Sequence, residues 1–363
     1  MNAWLIMPAT AEHSSAFVEL LSAKKQTPKW FVSHWWGELI KDFVACVAKH
    51  AEIRRTGDAD PYWVCAYANR QHSLGDEVCS NPRESSFYRA MQLADGVVLM
   101  LNEAVNVAEA AMPFTRVWCA FEISMATRPR EGKDPLLLDV ATGSETDAQV
   151  LTDGPAAWDF EQPKIRPVTY HKAKRELEFP IEIVQKGLSL QVQEAQASRE
   201  IDRVHILNCI SGRNLDATPP LQTHAEYDKV NLTLRSAFAV AAWRQALQKG
   251  VVEQLGLPRA LKMDAQRADV ELDLEDCASL TENDLTCLAK SLPKGLDILK
   301  LNLAWCVLLD DSAMTLLARN FPPKLKVLKL SLLQCEKIGN VGLESLAKHL
   351  PKTLQVLDLG CRW

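Results

Sequence analysis

The sequence predicts an α/β protein with three parts in series: a domain built on a parallel sheet, a helical connector, and a solenoid of short repeats. A chain of 363 residues is too long for one ordinary core. Its first half alternates apolar runs with helical periodicity, which favours a parallel sheet covered on both faces. Its C-terminal part repeats at a fixed period, which is typical of a solenoid. The composition, 47% hydrophobic and 24% charged, excludes general disorder.

Charge and targeting signals narrow the functional classes. A formal net charge of −5 leaves no basic footprint, so no nucleic-acid partner is expected. Residues 1–28 are predicted as an N-terminal extension without the features of a signal peptide, because no Lys or Arg precedes Lys24. No apolar run reaches the roughly 18 residues of a membrane span. Ten cysteines without a secretory signal predict reduced thiols and a cytoplasmic location.

The sheet domain is predicted over residues 29–212. Its first strands are expected at 29–36, 62–67, 96–101 and 136–140, and its first helices at 39–54, 84–94 and 114–128. Residues 143–167 are rich in Gly, Pro, Asp and Thr and are predicted as a loop insertion. A helix at 179–187, a strand at 188–192 and a helix at 195–209 complete the domain. Residues 213–262 form the helical connector, whose helix at 225–249 is expected to cap the repeats.

Residues 263–363 repeat with a period of 29, which identifies them as leucine-rich repeats. The aligned columns are Val270, Leu299, Leu328 and Leu357; Leu272, Leu301, Leu330 and Leu359; Leu288, Leu317 and Leu346; and Pro293, Pro322 and Pro351. Alternating leucines indicate a strand with one buried face, and the later apolar spacing indicates a helix that the proline ends. A column of Cys277, Cys306 and Cys335 is expected to point inward without metal, since no ligand partners accompany it. The array lacks a C-terminal cap.

The outward strand positions of these repeats form an extended surface. They are Glu271, Asp273, Lys300, Asn302, Lys329, Ser331 and Asp358. Such surfaces usually recognise another protein, so a protein partner is expected here.

In the sheet domain, a ligand is expected beyond the carboxyl ends of the strands. These are the polar and aromatic segments 33–38, 68–73 and 102–103. The chain has neither G-x-G-x-x-G nor G-x-x-x-x-G-K-[ST], so neither a Rossmann coenzyme site nor a P-loop is predicted.

Two short boxes carry a family resemblance. The first is Phe31-Val32-Ser33-His34-Trp35-Trp36-Gly37-Glu38, which resembles the F-[LV]-S-F-R-G-x-D box of plant-type TIR domains. The second is Trp118-Cys119-Ala120-Phe121-Glu122, which resembles their W-C-x-x-E box. The boxes occur in the family's order, and the chain continues into leucine-rich repeats. The resemblance covers residues 29–140, extending toward 212, and implies a flavodoxin-like parallel sheet.

The resemblance implies an activity and a site. In enzymatic TIR domains the matching glutamate, here Glu122, cleaves the nicotinamide–ribose bond of NAD, which is a substrate and not a cofactor. A carboxylate suits this reaction because it stabilises an oxocarbenium-like centre. The substrate-binding residues expected beside it are Ser33, His34, Trp35, Trp36 and Trp118. The indole of Trp35, Trp36 or Trp118 could stack on the adenine or nicotinamide ring of NAD. No metal is implied, and TIR domains often self-associate.

Other interpretations of these residues remain open. The three tryptophans could be packing residues, and Glu122 could be a solvated or salt-bridged helix residue. His34 and Cys119 could form a base and a thiol nucleophile, although no oxyanion-forming motif accompanies them. Two functions follow: a signalling NAD hydrolase, or a non-catalytic protein-interaction adaptor. A carboxylate in an open cleft beside Ser33 and Trp36 would favour the enzyme, and a filled cleft or a surface-facing Glu122 would favour the adaptor.

Overall fold

The computed structural model describes residues 1–77, 79–104, 109–220 and 223–361. The chain divides into two compact units. Unit 1 comprises Met1–Trp158 and Gln191–Asn231, and unit 2 comprises Asp159–Leu190 and Leu232–Trp363. The last two residues of the predicted repeat array, 362–363, lie outside the described residues.

The strands are β1 (Trp30–Ser33), β2 (Tyr62–Val64), β3 (Gly96–Leu101), β4 (Leu137–Thr142), β5 (Gln149–Leu151), β6 (Asp269–Asp273), β7 (Ile298–Asn302), β8 (Val327–Ser331) and β9 (Val356–Gly360). The helices are α1 (Met7–Thr10), α2 (Phe17–Leu21), α3 (Ile40–Arg54), α4 (Cys65–Ala68), α5 (Leu74–Glu77), α6 (Ser86–Leu93), α7 (Val117–Ala126), α8 (Ala157–Phe160), α9 (Val168–Arg175), α10 (Ile181–Leu188), α11 (Glu200–Ser211), α12 (Ala225–Lys249), α13 (Leu257–Met263), α14 (Glu282–Ser291), α15 (Asp311–Arg319) and α16 (Asn340–Lys348). No described helix is both long and apolar enough to cross a membrane.

Unit 1 is built on a five-stranded sheet in the order β2-β1-β3-β4-β5. Strands β1 to β4 are parallel, and β5 runs antiparallel to β4. Every residue of β1 and β3 is buried, as expected of central strands covered on both faces. The predicted α/β class with a mostly parallel sheet is therefore confirmed.

The helices that flank the sheet lie within a few residues of their predicted positions. Helix α3 buries Phe43, Cys46, His50 and Ile53, which recur every three or four residues along one face. Helix α6 begins where the Ser85 hydroxyl accepts a hydrogen bond from the backbone N–H of Tyr88. Helix α7 is different, because nearly every residue along it is buried. It therefore runs through the interior of unit 1.

Two local predictions in this region were wrong. The predicted loop at 143–167 contains strand β5 and helix α8, and at three and four residues both are too short to leave a periodic pattern. Gly143 permits the tight return to β5, since its φ is +120° and a Cβ there would lie 2.8 Å from the Ala148 backbone. The predicted strand at 188–192 is also absent. Leu190 is instead buried in a stretch without regular structure, and the buried Val192 begins a short 3-10 helix, Val192–Glu194.

A buried polar cluster joins α3 to β4 in unit 1. Asp139 and His50 are each 0% exposed, and His50 Nε2 lies 2.9 Å from Asp139 Oδ2. Arg54 donates from Nε to Oδ2 at 2.7 Å and from Nη2 to Oδ1 at 2.6 Å. The other imidazole nitrogen of His50 lies 2.7 Å from the Tyr62 hydroxyl. Every side chain in this cluster therefore has a specific partner.

Unit 2 contains a four-stranded parallel sheet in the sequence order β6-β7-β8-β9. Paired residues are 29 positions apart: Val270 lies opposite Leu299, which lies opposite Leu328, which lies opposite Leu357. The pairing therefore follows the period seen in the sequence, and α14 to α16 fall between the strands. Leu301 is buried while its neighbour Lys300 is half-exposed, so the predicted inward and outward positions alternate as expected.

The cysteine column lies inside this unit. Cys306 Sγ donates to the backbone oxygen of Leu274 at 3.2 Å, and Cys335 Sγ donates to that of Leu303 at 3.1 Å. Each thiol thus contacts the turn of the preceding repeat. Among the described residues no cluster of three or more His, Cys, Asp or Glu could hold a metal ion.

The division into units differs from the predicted domain boundaries. Residues 159–190 were expected to complete the first domain, yet they group with the repeats in unit 2. Gln245 on α12 donates to the backbone oxygens of Leu177 and Phe179, and Phe179 is buried. These contacts join residues far apart in sequence, so no local pattern could have predicted them.

Candidate functional site

The candidate site lies where β1 ends and α7 passes behind it. The apolar strand β1 carries Ser33 into the interior, where it is 1% exposed. Helix α7 brings Glu122 to the same place, and Glu122 is 4% exposed. Two of the residues implied by the TIR resemblance are therefore brought together, and both are polar groups in an apolar interior.

Glu122 is poorly compensated for its burial. Burial raises the pKa of its carboxyl group to about 8, and the Ser33 side chain only partly opposes this rise. Among the described residues, neither Ser33 Oγ nor Glu122 Oε2 has a hydrogen-bond partner of ordinary geometry. An unpaired buried polar group costs about 1–3 kcal/mol. Such a group, with a strongly shifted pKa, is typical of a functional site.

Two buried thiols adjoin this carboxyl group. Cys65 follows β2, and Cys119 lies on α7 one turn before Glu122. Burial, with a smaller contribution from the Glu122 charge, raises the pKa of Cys65 to about 12 and that of Cys119 well above its usual range. Both thiols are therefore protonated at neutral pH. Nothing in the sequence patterns had marked Cys65 as a site residue.

The alternative pair of His34 as base and Cys119 as nucleophile is not assembled. Cys119 Sγ contacts the backbone oxygen of His34 at 3.7 Å, whereas the imidazole Nε2 lies 3.7 Å from Cys65 Sγ. Burial lowers the pKa of His34 to about 4, so its ring is neutral. A protonated thiol beside a misdirected imidazole cannot act as an activated nucleophile.

Trp36 forms the exposed edge of the site. Its side chain is 51% exposed, and its Nε1 donates to Cys65 Sγ at 3.0 Å. Trp36 is therefore not a core residue, although packing at the edge of the site stays an alternative to stacking on a ligand. Trp35 packs back on its own loop instead. A Cβ at Gly37 would lie 2.2 Å from the Trp35 ring, so a larger residue there would displace this ring.

Trp118 belongs to an aromatic cluster. Its ring stacks on Phe87 with centroids 5.0 Å apart, and it meets Phe121 edge-on at 6.0 Å. Phe87 in turn contacts Trp63. One face of Trp118 is thus already covered by protein, which favours packing over stacking on a ligand.

Further polar groups occupy the neighbouring strand ends. Glu38, in the loop after β1, has its pKa raised to about 8 by burial and by the charge of Asp42. Beyond β2, the buried Gln71 donates through Nε2 to the backbone oxygens of Cys65, Ala66 and Asn69. Gln71 therefore fixes the loop that carries Cys65. Both polar segments, 33–38 and 68–73, had been expected at this edge of the sheet, although Glu38 was not among the predicted site residues.

Comparison with protein-family models, curated proteins and solved structures finds no match. The site can therefore be interpreted only from its own chemistry. It joins a neutral, unpaired carboxyl group to a buried hydroxyl and an exposed indole. A cationic group that approached Glu122 would favour the charged carboxylate and lower its pKa. The arrangement is thus suited to a substrate that carries or develops positive charge.

One described cavity of unit 1, about 200 Å³ in volume, lies along the outer edge of β2. Its lining includes Glu19, Lys24, Trp63 and Tyr67 but neither Ser33 nor Glu122. This cavity is therefore distinct from the candidate site.

The expected partner surface in unit 2 is only partly free. Lys300 pairs with Glu271 at 3.3 Å, and Lys329 pairs with Asp358 at 3.8 Å. Asp273, expected to face outward into solvent, is buried. It accepts a hydrogen bond from Thr169 on α9, so a segment of the same unit covers this end of the surface.

Proposed function

We propose that unit 1 contains a TIR-like domain that hydrolyses the nicotinamide–ribose bond of NAD, and that β6 to β9 belong to leucine-rich repeats that bind a protein partner. The observation that carries the enzymatic part is the buried carboxyl group of Glu122 beside Ser33, whose Oε2 has no hydrogen-bond partner among the described residues. The β2-β1-β3-β4 order and the two TIR-like boxes support the same proposal. Self-association of the domain remains a prediction.

The electrostatics suggest how Glu122 would act. The oxidised nicotinamide ring carries a positive charge, and its arrival would shift Glu122 toward the carboxylate. As the bond to nicotinamide breaks, the leaving ring takes the electron pair and the ribose carbon becomes oxocarbenium-like. The carboxylate stabilises that centre until water adds to the carbon and releases a proton. In this proposal the Ser33 hydroxyl donates a hydrogen bond to the carboxylate once it is charged.

Trp36 would bind one of the rings of the substrate. Its exposed indole offers a stacking face, and the contact from Nε1 to Cys65 Sγ holds the ring in one orientation. This preorganisation reduces the entropy lost on binding.

A second function, the non-catalytic adaptor, has its own support. Glu122 is 4% exposed, and the lining of the cavity along β2 does not include it. A carboxyl group closed off from solvent favours a domain that only binds proteins.

The deciding experiment incubates the full chain with NAD and measures released nicotinamide. Glu122→Gln keeps the shape of the side chain but removes its charge, so turnover should fall at least about a hundredfold. Glu182→Gln, the same change on the exposed face of α10, is the matched control and should leave turnover unchanged. Equal turnover by Glu122→Gln and the wild type would refute the catalytic role. Absence of turnover in the wild type would favour the adaptor.

A further inference from the structure

A short segment of unit 2 lies over the carboxyl ends of β6 and β7 in the repeat sheet. This strap, residues 163–175, consists of Arg166 and its neighbours followed by helix α9. Thr169 Oγ1 donates to Asp273 Oδ2 at 2.7 Å, and Arg166 Nη1 donates to Glu275 Oε1. Both acceptors are buried, with Asp273 at the end of β6 and Glu275 just beyond it.

The two carboxylates are also held by groups outside the strap. Asn302 on β7 donates through Nδ2 to Asp273 Oδ2 and to Glu275 Oε2, both at 2.8 Å. Arg244 on α12 donates to the backbone oxygens of Asp273 and Glu275 at 3.1 and 2.7 Å. Glu275 Oε1 is then directed at the incoming guanidinium. The acceptor pair is therefore preorganised for a ligand rather than shaped only by the strap.

Aromatic rings flank the bound guanidinium. The guanidinium carbon of Arg166 lies 5.7 Å from the ring centroid of Trp305, which follows β7, and 5.3 Å from that of Tyr170 in the strap. Trp305 is half-exposed and has a left-handed backbone with φ of 61°. The Glu275 carboxylate accepts from the edge of the Arg166 guanidinium, and the Trp305 indole lies against its face. This arrangement prefers arginine to lysine, because only arginine has a planar charged group.

The strap is held differently from the rest of unit 2. Helix α9 buries none of its residues, whereas α10, directly after it, buries Ile183, Val184 and Gly187. Ile165, beside Arg166, is 89% exposed. The Arg166 side chain is itself 31% exposed, although its partner carboxylate is 5% exposed. Polar and cation–π contacts therefore hold the strap, with little apolar burial to make it permanent.

We propose that Asp273, Glu275, Asn302 and Trp305 form a recognition site for an arginine side chain. The strap fills this site in the structure, and an arginine-bearing peptide of a protein partner takes its place. The strap also indicates the preferred ligand, which carries Arg followed three residues later by a hydroxyl, as in Arg166 and Thr169. This inference concerns unit 2 alone and does not depend on NAD hydrolysis.

Competition between the strap and a peptide of the same sequence tests the proposal. The probe is a synthetic peptide of residues 162–176, and its control carries Arg166→Ala. The receptor is the full chain, as wild type or with Arg166→Ala in its own strap. We expect the Arg166→Ala chain to bind the probe at least about tenfold more tightly than the wild type does, because one charge-assisted contact is worth roughly 1.5–3 kcal/mol. The control peptide should lose that affinity.

A second variant tests the acceptor. Adding Glu275→Gln to the Arg166→Ala chain should remove the gain in affinity. Adding Glu344→Gln, the same change at an exposed position on α16, should preserve it. If Arg166→Ala does not melt cooperatively, Arg166→Lys replaces it, since lysine keeps the charge but loses the planar group. The proposal would be overturned if the probe and the control peptide bound equally well, or if the Arg166→Ala chain bound no probe.

Discussion

Asp139 and Glu122 are two buried acids in the same unit with opposite surroundings. Burial would raise the pKa of Asp139, but hydrogen bonds from His50 and Arg54 outweigh it and lower the pKa. Glu122 has no comparable donors, and burial raises its pKa to about 8. A buried acid with charged partners is part of the framework, since those partners hold it in one state. A buried acid without them can change its charge when a ligand arrives.

The largest expected effect comes from a new buried acid without partners. Leu301→Asp places a carboxylate at an inward position of β7, and it should cost at least about 5 kcal/mol, because a cavity and an unpaired charge add. Limited proteolysis of the full chain, with the cuts mapped to unit 2, reports this loss of stability. Lys300→Asp, one residue away and half-exposed, is the control and should resist protease nearly as well as the wild type. If Lys300→Asp were cut more readily than Leu301→Asp, the assignment of these residues to the outward and inward faces would be wrong.

The second-largest effect on stability is expected from the loss of the Asp139 carboxylate, the buried acid with partners. Asp139→Asn keeps the shape of the side chain but leaves the Arg54 guanidinium without its counter-charge, which should destabilise the protein by about 3 kcal/mol. Urea unfolding monitored by circular dichroism gives the value. Asp153→Asn, which leaves the Asp139 carboxylate in place, is the comparison. A loss below about 1 kcal/mol would remove the distinction between Asp139 and Glu122.

Glu122 should show the opposite behaviour, with a sign that depends on pH. Between its ordinary pKa of 4.5 and its raised pKa of about 8, the folded state holds a proton that the unfolded state has lost. The wild type should therefore lose up to about 1.4 kcal/mol per pH unit as pH rises through this window. Glu122→Gln does not titrate, so its stability relative to the wild type should grow from pH 5 to pH 8. If the difference in melting temperature between Glu122→Gln and the wild type stayed the same from pH 5 to pH 8, the raised pKa of Glu122 would be contradicted.

The smallest effect on the fold is expected at the rim of the site. Trp36→Ala removes a half-exposed ring, so the protein should lose no more than about 1 kcal/mol of stability. If the indole stacks on NAD, the same change should weaken binding by roughly 1–3 kcal/mol. Calorimetric titration beside a thermal melt separates the two quantities. A large loss of stability with unchanged binding would make Trp36 a packing residue after all.

The sequence could predict those features that leave a local signal, such as a regular spacing or an apolar run. The 29-residue columns fixed the pairing of Leu299 with Leu328, and apolar runs placed β1 and β3, because both signals are local. The two short boxes contain Ser33 and Glu122, which the fold brings close together in the interior of unit 1. Cys65 could not be identified, since its importance depends on contacts with Trp36 and His34.

The same reasoning explains the error in unit 2. Asp273 occupies an outward strand position, so its sequence predicts exposure. The hydroxyl that covers it comes from Thr169, more than a hundred residues earlier in the chain. No periodic pattern in the repeats could report a segment from outside them.

The buried thiols of the repeats can also report local unfolding of the turns that contain them. Cys306 and Cys335 are each fully enclosed, and burial raises the pKa of both. An alkylating reagent reacts with the thiolate and needs access to it, so labelling at either position requires its turn to open first. Mass spectrometry after timed alkylation would then give a separate opening rate for each repeat without any engineered probe.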